Sequence, residues 1–279
     1  MVGAFLALLS VFGMAPTYTT AYKTVSGVDR NLTSLDVYAD ITAVSRPVVI
    51  FIHGGGWTQG DKAKVNELSV MPEYFLDHGF TFVAANYRLL PEATIADQCR
   101  DVAAAVRWVY DWIGWFGGNP YEIFLFGHSA GAHLVSLVSR DESYLFEQWM
   151  WNWNLSGVLA FDGPYDIPLA ISMSELVGRQ ESLEDRFTSN RVTQMRYSPA
   201  HHDPYWREVP LFVSHTSNPV NTLQAEELHW LTRYNGGDST LHEAVGQTHS
   251  EMVTEFGREG DELTEAAQEF LDYYRVWWR

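Results

Sequence analysis

From residue 47 onward, short unbroken apolar runs alternate with segments of helical periodicity, and no other feature constrains the fold as strongly. Residues 47–52 (PVVIFI), 80–85 (FTFVAA), 123–126 (IFLF), 155–161, 210–213 and 241–245 read as strands. A strand that is apolar on both faces must be covered on both, which is the condition of a parallel sheet held between layers of helices. Helices are expected over 65–76, 94–112, 130–138, 222–233 and from about 251 to 277. In the second of these, Val102, Ala105, Val106, Val109 and Trp112 recur at helical spacing, and Thr94 with Asp97 fits a capping box. The fold class is therefore α/β, a mostly parallel sheet with helices on both faces, in one domain spanning 1–279. Two insertions, about 141–154 and 178–206, interrupt the alternation. Both are expected beyond strand C-terminal ends, where ligands bind in such sheets. Trp151 and Trp153 in the first suggest an aromatic wall for an apolar substrate.

Composition removes several classes of protein. Apolar residues make up 46% and charged residues 19% of the 279, which suits a large core and excludes a disordered or coiled-coil chain. With 35 acidic against 18 basic residues the net charge is −17, so phosphate backbones are repelled and no nucleic-acid partner is expected. Cys99 is the sole cysteine; it excludes an internal disulfide and a cysteine-rich zinc site and reads as a small buried apolar residue. No stretch reaches the roughly 18 uninterrupted apolar residues of a membrane span. Residues 1–22 carry no charged side chain, and two readings stand for them: an N-terminal helix packed on the domain, or a targeting segment. No Lys or Arg precedes the apolar run, and Ser10 and Gly13 break it, which favours the helix and a cytoplasmic protein; a signal segment within 1–15 would make it secreted.

Two motifs carry chemistry. Gly127-His128-Ser129-Ala130-Gly131 matches G-x-S-x-G and sits between an expected strand and an expected helix. In that context the glycines permit an abrupt strand-to-helix turn that lifts the Ser129 hydroxyl above the sheet at a helix N-terminus, as a nucleophile requires. His53-Gly54-Gly55-Gly56-Trp57 directly follows the first strand. Acyl transfer creates an oxyanion that needs preset N–H donors; Gly55 and Gly56 are the candidates, with Ala130 as the third. His53 reads as an anchor of the glycine loop, while Trp57, His128 and His215 are candidate pocket residues. A base is also needed, and His249, just past the last strand in Thr248-His249-Ser250, is placed to take the Ser129 proton. This set calls for no metal and no organic cofactor.

Taken together, HGGGW, Gln59-Gly60-Asp61-Lys62, Asn86-Tyr87-Arg88-Leu89 with Pro91-Glu92, and GHSAG resemble the α/β-hydrolase superfamily, over about residues 33–255. Within it the chain most resembles the kynurenine formamidase (arylformamidase) and small carboxylesterase branch, which Leu35-Asp36-Val37-Tyr38 also fits. The resemblance implies an eight-stranded, mostly parallel sheet and a Ser–His–acid triad in the chain order nucleophile, acid, histidine.

The acid is where the sequence departs from that branch. The family's Asp follows the fifth of the strands above, but here Ser214-His215-Thr216-Ser217-Asn218-Pro219-Val220 places Asn218 at its position. An amide orients an imidazole without stabilising its cation, and the exchange costs about 10⁴ in rate in a serine triad. Asp162 stands at the end of the neighbouring strand, in Phe161-Asp162-Gly163, where the branch usually has a small residue and where some lipases of the superfamily place their acid. Strand ends lie about 5 Å apart, so an acid there can serve the same imidazole. Two triads therefore stand: Ser129–His249–Asp162 with a migrated acid, and Ser129–His249–Asn218. Asp166 reads as the cap of the next helix, and Asp97 and Asp101 as structural.

These readings lead to a serine hydrolase acting on a small apolar or aromatic ester, lactone or amide through an acyl-enzyme. Two alternatives accompany it: an arylformamidase, and a hydrolase-fold enzyme doing cyclisation, condensation or elimination on a biosynthetic intermediate. The expected partner is a small-molecule substrate.

Overall fold

The computed structural model describes residues 14–176, 183–204 and 207–276. Eight strands form one sheet in the order β1-β2-β4-β3-β5-β6-β7-β8. They are β1 (Tyr18–Ala21), β2 (Ser34–Tyr38), β3 (Arg46–Ile52), β4 (Thr81–Ala85), β5 (Gly118–His128), β6 (Leu155–Phe161), β7 (Leu211–His215) and β8 (Ser239–Glu243). β2 runs antiparallel to both of its neighbours, and the other adjacent pairs are parallel. The helices are α1 (Lys64–Leu68), α2 (Met71–Asp77), α3 (Ile95–Trp112), α4 (Ala130–Arg140), α5 (Ser143–Phe146), α6 (Ile167–Leu176), α7 (Glu184–Phe187), α8 (Arg191–Arg196), α9 (Pro219–Tyr234), α10 (Glu251–Thr254) and α11 (Glu262–Val276).

The six sequence-read strands are present, and their continuous apolar character has the expected cause. Alternate residues of each central strand enter opposite cores. Val48, Ile50 and Ile52 of β3 join a cluster with Val102, Val106 and Leu134 from α3 and α4. Val49 and Phe51 join a second cluster with Phe75, Phe126, Phe256 and Phe270 on the other face. Thr94 caps α3 through the expected box, donor and acceptor exchanged with Asp97. Cys99 is buried in α3. Asp101 is also buried and structural, gripping Arg88 through both carboxylate oxygens at 2.8 Å and pairing with Lys23.

Several expectations need correction. Tyr18–Ala21, within the segment expected as a helix, forms edge strand β1 against β2; residues 1–13 of that segment lie outside the described residues. The expected helix over 65–76 is two, because Ser69 and Val70 leave the helical path before α2 starts at Met71, with Pro72 in its first turn. The final helix also divides, with Gly257 and Gly260 at positive φ between α10 and α11. The insertion at 141–154 follows α4 and leads into the start of β6, so it lies at the N-terminal end of that strand, away from the ligand-binding edge. Among the described residues, no helix is long and apolar enough to cross a membrane.

Candidate active site

The sheet's register assembles the site. The strand order changes direction between β3 and β5, the crevice where α/β sheets bind ligands. Ile52 pairs with Gly127 across that boundary, so the glycine loop after β3 lies beside the serine turn after β5. One strand further, His128 pairs with Phe161, and the Ser129 N–H donates to the Phe161 carbonyl at 2.8 Å. The following residue is Asp162, whose own N–H donates to the Ser214 carbonyl of β7 at 2.8 Å. The catalytic candidates thus occupy successive strand tips.

Ser129 sits at φ 56°, ψ −120°, a strained backbone for a residue with a Cβ, costing about 1–3 kcal/mol. The tight turn explains its flanking glycines. A Cβ on Gly127 would lie 2.3 Å from the Gly131 carbonyl oxygen, and one on Gly131 would lie 2.0 Å from that of Ile52. The turn ends at α4, whose first residue, Ala130, has an N–H without an intrahelical acceptor.

The glycine loop closes against this turn. A Cβ on Gly54 would be 3.0 Å from the Ser129 Cβ. Gly55 and Gly56 have φ of 118° and 58°, and among the described residues nothing accepts a hydrogen bond from either N–H. Both donors are free for a ligand, as an oxyanion hole requires. The loop is braced from below. His53 stacks on Tyr87 at 4.5 Å and donates from Nδ1 to the Gly54 carbonyl at 2.7 Å; burial pushes its pKa down. Asn86 accepts from the Lys62 N–H at 2.6 Å and donates to Asp61 at 3.0 Å. The NYRL and QGDK motifs are therefore loop supports rather than reacting groups.

His249 arrives from the loop after β8. Its Nδ1 lies 2.6 Å from Asp162 Oδ2. Asp162 is buried at 4% exposure and also accepts from the Thr216 N–H at 2.9 Å and the Asn221 amide at 2.8 Å. Burial alone would raise its pKa; the hydrogen bonds from His249 and Thr216 outweigh it and hold the carboxyl below its ordinary value. Asn218 lies elsewhere. Its side chain accepts from the Val220 N–H at 2.9 Å and caps α9, because the chain enters that helix at Pro219. Asp166 caps α6 as expected, accepting from the Leu169 N–H at 2.8 Å.

A cavity of about 480 Å³ opens above β3 and β5, and Gly54, Gly55, Gly56, His128, Ser129 and His249 all line it. The other expected wall residues are not there. Trp57 is buried beneath the loop, its indole N–H donating to His133 Nδ1 at 3.2 Å. His215 is buried, with Nδ1 bonded to the Thr216 carbonyl at 2.9 Å. Trp151 and Trp153 stack on each other at 5.1 Å beside the start of β6. His128 does line the cavity, and its role is more specific than a wall: Nε2 donates to the His249 carbonyl at 2.7 Å. Burial, then the neighbouring His249, push its pKa down to about 3, so it is a neutral donor. Arg186, from the 178–206 insertion, also lines the cavity. The sequence signal for it was only that this insertion is polar, Arg-rich and follows a strand end.

Comparison with known proteins follows this geometry. The family model BD-FAE matches residues 35–229, more than half of the chain and inclusive of the glycine loop, the serine turn and Asp162. The chain belongs to the BD-FAE family. This BD-FAE member is 34% identical over 138 residues to a probable isoprenylcysteine alpha-carbonyl methylesterase of Arabidopsis thaliana, covering 46% of the chain and 30% of the relative. It is 38% identical over 100 residues to a probable carboxylic ester hydrolase of Mycobacterium tuberculosis, covering 36% of the chain and 22% of the relative. The matched segments thus span less than a third of either relative's length. Among solved structures, esterase B of Lactobacillus rhamnosis superposes with a TM-score of 0.72 at 21% identity, covering 95% of this chain and 87% of that one. Esterase 2 of Thermogutta terrifontis superposes with 0.68 at 25% identity, covering 93% and 91%. The fold is the α/β-hydrolase fold of esterases. His249 lies beyond the segment that the family model matches, and its place rests on the geometry above.

Proposed function

We propose that this BD-FAE protein is a serine hydrolase that cleaves small esters through an acyl-enzyme on Ser129. The observation that carries the reading is the His249–Asp162 hydrogen bond at 2.6 Å, beside a cavity that His249 shares with Ser129 and two glycines whose N–H groups are free. His249 Nε2 takes the Ser129 proton as the hydroxyl oxygen bonds to the ester carbonyl carbon. The N–H groups of Gly55, Gly56 and Ala130 receive the oxyanion, and Asp162 stabilises the imidazolium across Nδ1. Collapse breaks the bond to the leaving alcohol, which departs with the proton from His249. Water then repeats the sequence: His249 takes its proton, its oxygen bonds to the acyl carbon, and the Ser129 oxygen leaves and recovers the proton, releasing the acid.

Lactones and amides, including an N-formyl aromatic amide, fit the same steps. The two relatives above are named as probable ester hydrolases, which favours the ester as the primary substrate. The test is turnover of 4-nitrophenyl butyrate by the wild-type chain and by Ser129→Ala. Steady release of both butyrate and nitrophenol, reduced at least 10³-fold in the variant, supports the reading. Turnover that survives Ser129→Ala contradicts an acyl-enzyme on Ser129.

A further inference from the structure

Arg186 is the unexplained charge of the site. It comes from α7 and lines the same cavity as Ser129 and His249. Its guanidinium sits against the oxyanion loop: a Cβ on Gly56 would lie 3.0 Å from Arg186 Nη1. Cζ lies 5.8 Å from the centre of the Trp57 ring. Among the described residues, no carboxylate comes within 4.0 Å of its nitrogens, and none accepts a hydrogen bond from it. Burial lowers its pKa, against the opposing pull of the adjacent Asp185. Partly desolvated guanidinium groups are normally matched by a carboxylate or phosphate.

The balance of charge in the cavity favours an anion. Lys64 adds a second cation to its wall. The carboxylate in that wall, Asp61, is already engaged by the Asn31 amide at 2.6 Å, the Asn86 amide at 3.0 Å and the Ala63 N–H at 2.8 Å. His53 and His128 are held neutral by burial. A chain with a net charge of −17 therefore presents cations where its substrate enters.

We propose that Arg186 docks a free carboxylate on the substrate, so that the preferred esters are anionic ones, such as half-esters of short dicarboxylic acids. This rests on the esterase reading and adds its substrate class. A charge-assisted, bidentate pair in a partly desolvated site is the interaction for which a guanidinium is suited.

The experiment uses pairs that differ in charge, with the primary amide beside each methyl ester as the neutral member of matched size. One is mono-4-nitrophenyl glutarate against its neutral methyl ester, which puts the charge on the acyl side. The other is 4-acetoxybenzoate against its methyl ester, which puts it on the leaving group. The expected result is a preference of about tenfold or more in kcat/KM for the charged member of at least one pair. Arg186→Gln collapses that ratio toward one, and Arg186→Lys restores part of it. Equal rates within both pairs in the wild-type protein would overturn the proposal while leaving the esterase reading intact. So would an Arg186→Gln variant that lowers both members of the preferred pair equally, which would assign Arg186 to the oxyanion loop instead. If no ester is cleaved, the esterase reading fails separately, and calorimetric titration with glutarate decides the carboxylate site: binding that Arg186→Gln abolishes supports it, and no binding to the wild-type protein overturns it.

Discussion

Nδ1 of His249 donates to Oδ2 of Asp162 at 2.6 Å, across 87 residues of sequence, while Asn218 is occupied at the start of α9. The two acid candidates therefore have separable jobs. Asp162→Asn should lower kcat on 4-nitrophenyl butyrate by about 10⁴, the penalty for losing the charge behind a catalytic imidazole. Asn218→Ala should leave turnover within about twofold and destabilise the fold by about 1 kcal/mol through loss of the helix cap. Steady-state kinetics and urea unfolding of the two variants check both halves.

His128 should act as a positioning residue. Its neutral Nε2–H holds the backbone of His249, and a misplacement of about 1 Å at a reacting group can cost 10² in rate. His128→Leu is expected to lower kcat by about tenfold to hundredfold with little change in KM. His128→Gln, whose amide can donate to the same carbonyl, should recover part of the loss. Equal kcat values for the two variants would contradict a positioning role.

Acid should destabilise the fold before ordinary carboxylates titrate. His133 is fully buried, accepts from Trp57 at Nδ1 and donates from Nε2 to the Tyr197 carbonyl, so its neutral form satisfies both neighbours. Burial lowers its pKa to about 4 against 6.5 in the unfolded chain. Between those values the unfolded state binds more protons. The stabilisation is therefore complete above pH 6.5 and is lost as pH falls toward about 4. Thermal melts from pH 7.5 to 4.5 should show a falling Tm, with a shallower fall for His133→Gln.

Glycine substitutions separate close backbone contact from open space. Gly131→Ala drives a Cβ to within 2.0 Å of the Ile52 carbonyl oxygen, both on backbone that cannot step aside. It should cost about 3 kcal/mol or more, at or beyond the upper end of ordinary overpacking. Gly114→Ala meets nothing within 4 Å and should change stability by less than about 0.5 kcal/mol. Denaturant midpoints of the two variants check the contrast.

What could be read from the sequence follows the range over which each interaction acts. The strand runs and the serine turn are local patterns, dictated by burial and by a few glycines, and they placed Ser129 beside the loop of Gly55 and Gly56. The Asp162–His249 contact is long-range, yet strand spacing alone made it plausible. β1 and β2 escape the strand reading for different reasons: β1 is an edge strand, Tyr-Thr-Thr-Ala with its first two residues exposed, whereas β2 is paired on both sides and buried but breaks its apolar run with Ser34 and Asp36. Trp57 and His215 were misassigned because motif proximity does not say which way a side chain turns: Trp57 takes φ 64° and folds under its loop. Trp151 and Trp153 were placed at the wrong end of the sheet because the insertion was counted from a strand rather than from α4. Arg186 depends on how an irregular insertion folds back over the glycine loop, which no local periodicity encodes.

The most direct test of the Ser129–His249–Asp162 assembly is covalent labelling by a fluorophosphonate, followed by peptide mass mapping. The predicted result is one adduct, on Ser129, whose formation slows by several orders of magnitude in His249→Ala and in Asp162→Asn but proceeds normally in Asn218→Ala. An unlabelled Ser129 in the wild-type protein, or labelling indifferent to His249, would contradict it.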